Sequence, residues 1–254
     1  MLRRLVSKKV IKAAVVAILG ILILFAVYIL LLCHPGLFFR HSLTHGAITL
    51  YSDEPIPARS AEHVLKAVEQ RLARSPLFHP RSSGAIHAYI CNRKWRFILF
   101  ANFRFHVGGL TYPPLSNNIF LRAVDLDTDR LIGPSGKAVP GERTLTYFIA
   151  HEIVHTLLAD ELGAVAYWQL PDWKNEGYAD HVAKGANFRY GHALGQLRIG
   201  DREMDPLKSG LYLRYNLLVA YLLDQKGISV HEMLNRDFEP VRLEAEMLDA
   251  NHGS

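Results

Sequence analysis

Apolar positions change their spacing along the chain, and the changes mark out its elements. Ala13 to Cys33 is an unbroken uncharged run, AAVVAILGILILFAVYILLLC. As a helix rising about 1.5 Å per residue it reaches ~30 Å, the depth of the hydrocarbon layer. It is apolar on every face, whereas a core helix of a globular domain keeps a polar stripe. A cleavable signal core is shorter, about 7–15 residues, and ends at a small-residue site. Residues 13–33 are therefore expected to form a retained transmembrane anchor in contact with the lipid bilayer. Residues 34–45 read as a juxtamembrane linker. Beyond them, Ala47–Tyr51 alternates as a strand does. Ser60–Ala73 repeats Val64, Leu65, Val68 and Leu72 at helical spacing, with Ser60 as a cap. Ala85–Ile90, Trp95–Ala101 and Asn118–Val124 read as strands, and Gly108-Gly109 opens a loop. Residues 125–141, rich in Asp, Gly and Pro, read as a surface loop. From Glu142 onward the spacing is helical, over 142–163, 174–185, 208–226 and 229–236. The pattern predicts an α+β fold: a β-rich part over 46–141 with a small mixed sheet, then a helical part over 142–254.

Charge adds an orientation to this picture. The chain has 29 Lys and Arg against 24 Asp and Glu. Arg3, Arg4, Lys8, Lys9 and Lys12 supply the whole excess, and the rest of the chain is balanced. By the positive-inside tendency, segment 1–12 is expected in the cytoplasm, with the domain after the anchor periplasmic or extracellular. No basic stripe interleaved with aromatics occurs elsewhere, which argues against a nucleic-acid partner. Cys33 and Cys91 are too few for a disulfide framework or a cysteine-rich metal site and read as unpaired small hydrophobes.

The chemistry lies in Tyr147-Phe-Ile-Ala-His151-Glu152-Ile-Val-His155, which contains H-E-x-x-H. Residues four apart on a helix share a face, so His151 and His155 can converge on one ion. Glu152 is placed beside them to take a proton from a water on the metal. So short a pattern also arises by chance, and context decides. Zinc takes three protein ligands and leaves a fourth position open in catalytic sites. Downstream, Trp173-Lys-Asn175-Glu176-Gly177-Tyr-Ala179-Asp180 offers Glu176 as a third ligand. Gly163 and Pro171 give the chain room to turn back in between. Asp180 is one turn beyond Glu176, where its carboxylate could accept the outer N–H of a ligating histidine.

These motifs resemble those of the gluzincin zinc metallopeptidases, in which H-E-x-x-H is followed by a glutamate ligand within W-x-N-E-G-x-A or E-x-x-x-D. The matching residues are Trp173, Asn175, Glu176, Gly177, Ala179 and Asp180. The resemblance covers residues 142–185. It implies a zincin-like domain holding one Zn2+ on His151, His155 and Glu176, with Glu152 as general base and Asp180 orienting a histidine. It implies hydrolysis of a peptide or protein substrate. The stretch Gly108-Gly109-Leu110 and Asn118–Val124 would then supply the strand at the cleft edge. The acidic G-x-M-E-N element of related aminopeptidases is replaced here by Gly109-Leu110-Thr111-Tyr112-Pro113, which favours endopeptidase action.

Tyr212, Tyr215 and His192 are candidate oxyanion donors. Asp125, Asp127 and Asp129 alternate like the start of a calcium loop, but Arg130 and Gly136 stand at the wrong places, so they read as a solvated loop. His181 follows Asp180 without a required role. An intramembrane protease is excluded, because the stretch between Arg143 and Asp160 is too short to span and contains Glu152. The alternative is a membrane-tethered, metallopeptidase-like domain with a binding or regulatory role.

Overall fold

The computed structural model describes residues 8–79, 86–104 and 106–250. Arg3 and Arg4 of the basic segment, and Ala85 of an expected strand, lie outside the described residues. Helix α1 (Lys8–Cys33) is continuous. Its stretch from Val10 to Cys33 is long and apolar enough to cross a membrane, and most of its side chains are exposed.

Strands β1 (His41–His45) and β2 (Ile48–Ser52) form a hairpin, followed by α2 (Ala58–Leu72) and β3 (Ile86–Cys91). Next come α3 (Lys94–Phe100), β4 (Gly109–Tyr112), β5 (Ser116–Arg122) and a small hairpin of β6 (Val124–Asp125) and β7 (Arg130–Leu131). The sheet order is β1-β2-β3-β5-β4. β2, β3 and β5 run parallel, and both edge strands are antiparallel to their neighbours. The helical remainder comprises α4 (Leu145–Gln169), α5 (Asp172–Lys184), α6 (Tyr190–Arg198), α7 (Pro206–Ser209), α8 (Leu213–Ala220), α9 (Val230–Asn235) and α10 (Pro240–Ala250). The fold is α+β with a mixed five-stranded sheet, as the pattern predicts.

The period-two alternation of the strands sorts the core into two layers. Ile48, Leu50, Ala88, Ile90, Ile119 and Leu121 face α2 and α4 in one large cluster that continues into the helical half as far as Met247. The residues between them, Tyr89, Cys91 and Phe120, face the other way. There they meet Phe97 and Phe100 of α3, Phe39, and Leu32 at the end of α1. Rings stack through this second layer: Phe100 on Phe120 at 4.7 Å, Tyr51 on Tyr89 at 4.8 Å.

Some expected boundaries change. Trp95–Ala101 is a helix rather than a strand, because β3 already has β2 and β5 as neighbours and offers no free edge. As α3 the segment satisfies its own backbone and still buries Phe97 and Phe100 on the sheet. Residues 34–45 are not a linker. Pro35–Phe38 is a 3-10 turn and His41–His45 is β1, drawn in by Phe39. Ser60 does not cap α2, which begins after Pro57; its hydroxyl instead donates to Asp127 at 2.5 Å. The 125–141 loop opens with the β6–β7 hairpin. The expected helix 208–226 is interrupted at Gly210, whose φ of +66° ends α7, and α8 continues through a π-helical turn at Tyr221–Gln225. Helices α6 and α10 were not expected from the pattern.

Candidate metal centre

The site is built where α4 crosses α5. Thr144 caps α4 by accepting from the Tyr147 N–H at 3.2 Å. Asp129, in the loop between β6 and β7, accepts from the Thr146 N–H at 2.7 Å and from its hydroxyl at 2.9 Å. One of the three alternating aspartates therefore fixes the start of the motif helix. From Leu145 to Ala159 nearly every residue of α4 is buried, since the helix lies between the sheet and α5. Gly163 leaves helical geometry (φ +74°, ψ 166°), and the chain bends toward Pro171 and α5.

The bend returns Glu176 to the two histidines. His151 Nε2 lies 3.2 Å from Glu176 Oε2 and 3.2 Å from His155 Nε2, and His155 Nε2 lies 3.7 Å from Glu176 Oε2. Donors at about 2.0–2.2 Å from a tetrahedral ion stand about 3.3–3.6 Å apart, so the triangle has the right size for a small cation. The protons agree. His155 Nδ1 is 2.8 Å from Asn175 Oδ1, which can only accept, so the ring proton sits on Nδ1 and the Nε2 lone pair faces the triangle. His151 Nδ1 is buried without a hydrogen-bond partner, 3.9 Å from Asp180 Oδ1. His151 Nε2 is the ring atom that faces Glu176 and His155, so two ring nitrogens and one carboxylate oxygen converge on one point. These residues could hold a metal ion.

Asp180 stands behind His151 at more than hydrogen-bond distance. It accepts from the Tyr147 hydroxyl, pairs with Lys184 Nζ at 2.7 Å and lies 3.5 Å from the Asn216 amide. Asn175, whose role is not explicit in the motif reading, makes the contact that orients a ring. Its position directly before Glu176 was the signal available.

Glu152 is buried beside the triangle against β4. A Cβ at Gly109 would stand 3.1 Å from Glu152 Cγ and 3.0 Å from Leu121, so the strand comes this close only because residue 109 has no side chain. Burial, with a smaller contribution from the Glu176 charge, raises the Glu152 pKa to about 7 against the pull of His155. Glu176 goes the other way. Burial raises it, but the hydrogen bond from His151, the two histidine charges and the Tyr212 hydroxyl together bring it down to about 2.

A cavity of about 600 Å³ opens over these groups. His151, Glu152, Glu176 and Tyr212 line one wall, and Gly109 and Leu110 of the edge strand line another. Of the three candidate oxyanion donors, only Tyr212 reaches it. Its ring stacks on His151 at 5.8 Å, and burial together with the nearby carboxylates pushes its pKa up, so it stays a donor. Tyr215 stacks behind Tyr212 at 6.2 Å, and His192 lines a separate pocket. His181 faces Asp224 at 3.7 Å, away from the triangle. Gly177, next to Glu176, lets α5 approach α8: a Cβ there would meet the Tyr215 carbonyl oxygen at 2.6 Å. No protein-family model and no curated protein sequence matches this chain, so its functional reading stands on its own geometry.

Proposed function

We propose that this protein is a membrane-anchored zinc metallopeptidase of the gluzincin type, acting as an endopeptidase. The observation that carries the reading is the convergence of two imidazoles and one carboxylate, with a second, buried carboxyl beside them at the floor of a cavity. Two nitrogens and one oxygen at tetrahedral spacing suit zinc, with one ion per chain. When bound, zinc supplies Lewis acidity, activating water and polarising a carbonyl.

The chain's own residues supply the rest. Glu152 takes the proton of the attacking water and returns it to the departing nitrogen. A carboxylate at hydrogen-bond reach of that water can carry the proton from one to the other. Tyr212 donates toward the oxygen that gains charge. Asn175 holds the His155 ring so that Nε2 faces the ion. A site that only stored zinc would have no use for Glu152, and a buried carboxyl without an acidic or basic task is destabilising. The five basic residues of segment 1–12 favour a cytoplasmic N-terminus and a domain on the opposite side of the membrane.

Glu152→Gln tests the mechanism. Elemental analysis should find one zinc per chain in wild type and variant alike. Turnover of any peptide the wild type cleaves should fall ~10²–10⁴-fold in the variant. Near-equal turnover would remove Glu152 from the reaction. Undiminished zinc in both His151→Ala and Glu176→Ala would remove the assigned ligands.

A further inference from the structure

The domain does not hang from its membrane helix on a tether. The last turns of α1 are docked on the sheet face opposite the metal centre. Asn118 Nδ2 donates to the carbonyls of Leu32 (2.8 Å) and Cys33 (3.0 Å), and the Ser116 hydroxyl donates to Leu32 at 3.3 Å. The Tyr28 hydroxyl donates to Leu99 of α3 at 2.9 Å. Tyr28 precedes Cys33 by five residues, about 7.5 Å along a helix. α3 therefore lies level with the last turns of α1, at the depth where a membrane helix meets the headgroups.

What α3 and its surroundings expose fits that depth. Leu37, Trp95, Phe103 and Leu115 are exposed large hydrophobics. Leu37 is in the turn directly after α1, and the Leu115 carbonyl faces Cys33 Sγ at 3.6 Å; Trp95 of α3 packs on Phe38 of that turn at 6.2 Å, and Phe103 lies just after α3. Residues 93–106 contain no acid; Arg93, Lys94 and Arg104 are exposed, while Arg96 is turned inward and pairs with Asp53 at 2.6 Å. Tryptophan and basic side chains are the residues that settle at a bilayer interface, the latter on anionic headgroups.

The same segment leads into the catalytic cavity, whose rim includes Arg104, His106 and Val107. The edge strand then runs from Gly109, beside Glu152, to Tyr112, which pairs with Ser116 at the end of α1. Along β5, Asn118 on α1 and Leu121 opposite Gly109 are three residues apart, ~10 Å, and one packing layer of about 10 Å separates the two faces. Glu152 is thus within roughly 20 Å of the membrane end of α1, about six residues of extended chain.

We propose that the domain rests on the bilayer through α3 and the loop after it, and that its cavity takes the juxtamembrane stretch of another membrane-anchored polypeptide. This inference rests on the hydrolase reading and on α1 crossing the bilayer. The full chain, reconstituted in phosphatidylcholine vesicles with a minority of phosphatidylglycerol, tests it in two ways. Lipids brominated near the headgroup should quench tryptophan fluorescence of the wild type, and Trp95→Phe should abolish most of that quenching. Anchored reporters carrying one cleavable sequence at two distances should be cut about tenfold or more faster where that sequence lies within about ten residues of the bilayer. Quenching that is absent, or unchanged in Trp95→Phe, would overturn the docking, and equal cleavage at both distances would overturn the substrate class. If the Trp95-dependent quenching is present but the zinc-loaded protein cuts neither the reporters nor soluble proteins, the hydrolase reading fails and the substrate class with it, while the docked face stands.

Discussion

Glu152 is buried and Glu176 beside it is partly exposed, and their proton affinities are pushed in opposite directions. Glu152 has burial against it and little to offset it, and its pKa rises from 4.5 to about 7. Glu176 is less completely buried and receives the His151 hydrogen bond, the two histidine charges and the Tyr212 hydrogen bond, and its pKa falls from 4.5 to about 2. In the metal-free protein these shifts give stability a pH dependence of definite sign. The stability linked to Glu152 is fully present below its unfolded pKa near 4.5 and is lost as pH rises through about 7. That linked to Glu176 is present above 4.5 and lost as pH falls toward about 2. Urea unfolding of the metal-free wild type at about pH 5 and about pH 8 should therefore show a loss at the higher pH, with up to roughly 3 kcal/mol of it due to Glu152. Glu152→Gln should lack that part of the loss. Parallel behaviour of the two proteins would mean that Glu152 is not held protonated by its surroundings.

The site depends on how closely its elements approach, and Gly177 sets the closest of these contacts. The Cβ of an alanine there would meet backbone, the Tyr215 carbonyl oxygen at 2.6 Å, with the Val219 side chain at 2.9 Å. Backbone cannot rotate aside, so α5 must move off α8 and carry Glu176 with it. Gly177→Ala should lower stability by roughly 1–3 kcal/mol in urea unfolding and weaken zinc retention against a competing chelator. Unchanged values in both measurements would show that α5 and α8 have slack at this point. The sequence made the grouping of His151, His155 and Glu176 legible because H-E-x-x-H spacing and the helix repeat are the same geometry, and the N-E-G step carries its own packing requirement. It misread α3 because Trp95–Ala101 is a short apolar run rich in aromatics, which suits either a strand or a helix. The choice is made by the sheet, where β3 has no open edge, and that is information from distant residues. The interruption at Gly210 was visible as a glycine, but only the left-handed geometry there shows that it ends one helix before the next begins. Asp129 was hidden for the same reason: its partner, Thr146, lies 17 residues away on another element.

On the scale of the whole molecule, the last turns of α1 are part of the fold. Leu32 is fully buried against the aromatic layer, and the Asn118 amide spends its hydrogen bonds on the last carbonyls of α1. A fragment cut just after Cys33 loses both. Burying a leucine is worth about 1.5–3 kcal/mol, and a buried polar group left without its partner costs about 1–3 kcal/mol unless water reaches it. The fragment also uncovers a patch around Phe39, Tyr89 and Phe120 that the last turns of α1 otherwise help to cover. A fragment beginning near Ala26 keeps Tyr28, Leu31, Leu32 and the Asn118 contacts while discarding most of the exposed apolar helix. In mild detergent the longer fragment should unfold at higher urea, by about 2–5 kcal/mol. The shorter one should bind an apolar dye and associate, and Asn118→Leu should recover part of the difference there while destabilising the longer fragment. Equal stability of the two fragments would mean that α1 is only a tether. The proposed placement of the cavity over Glu152 near the bilayer, which requires a fixed joint at Asn118, would then lose its physical basis.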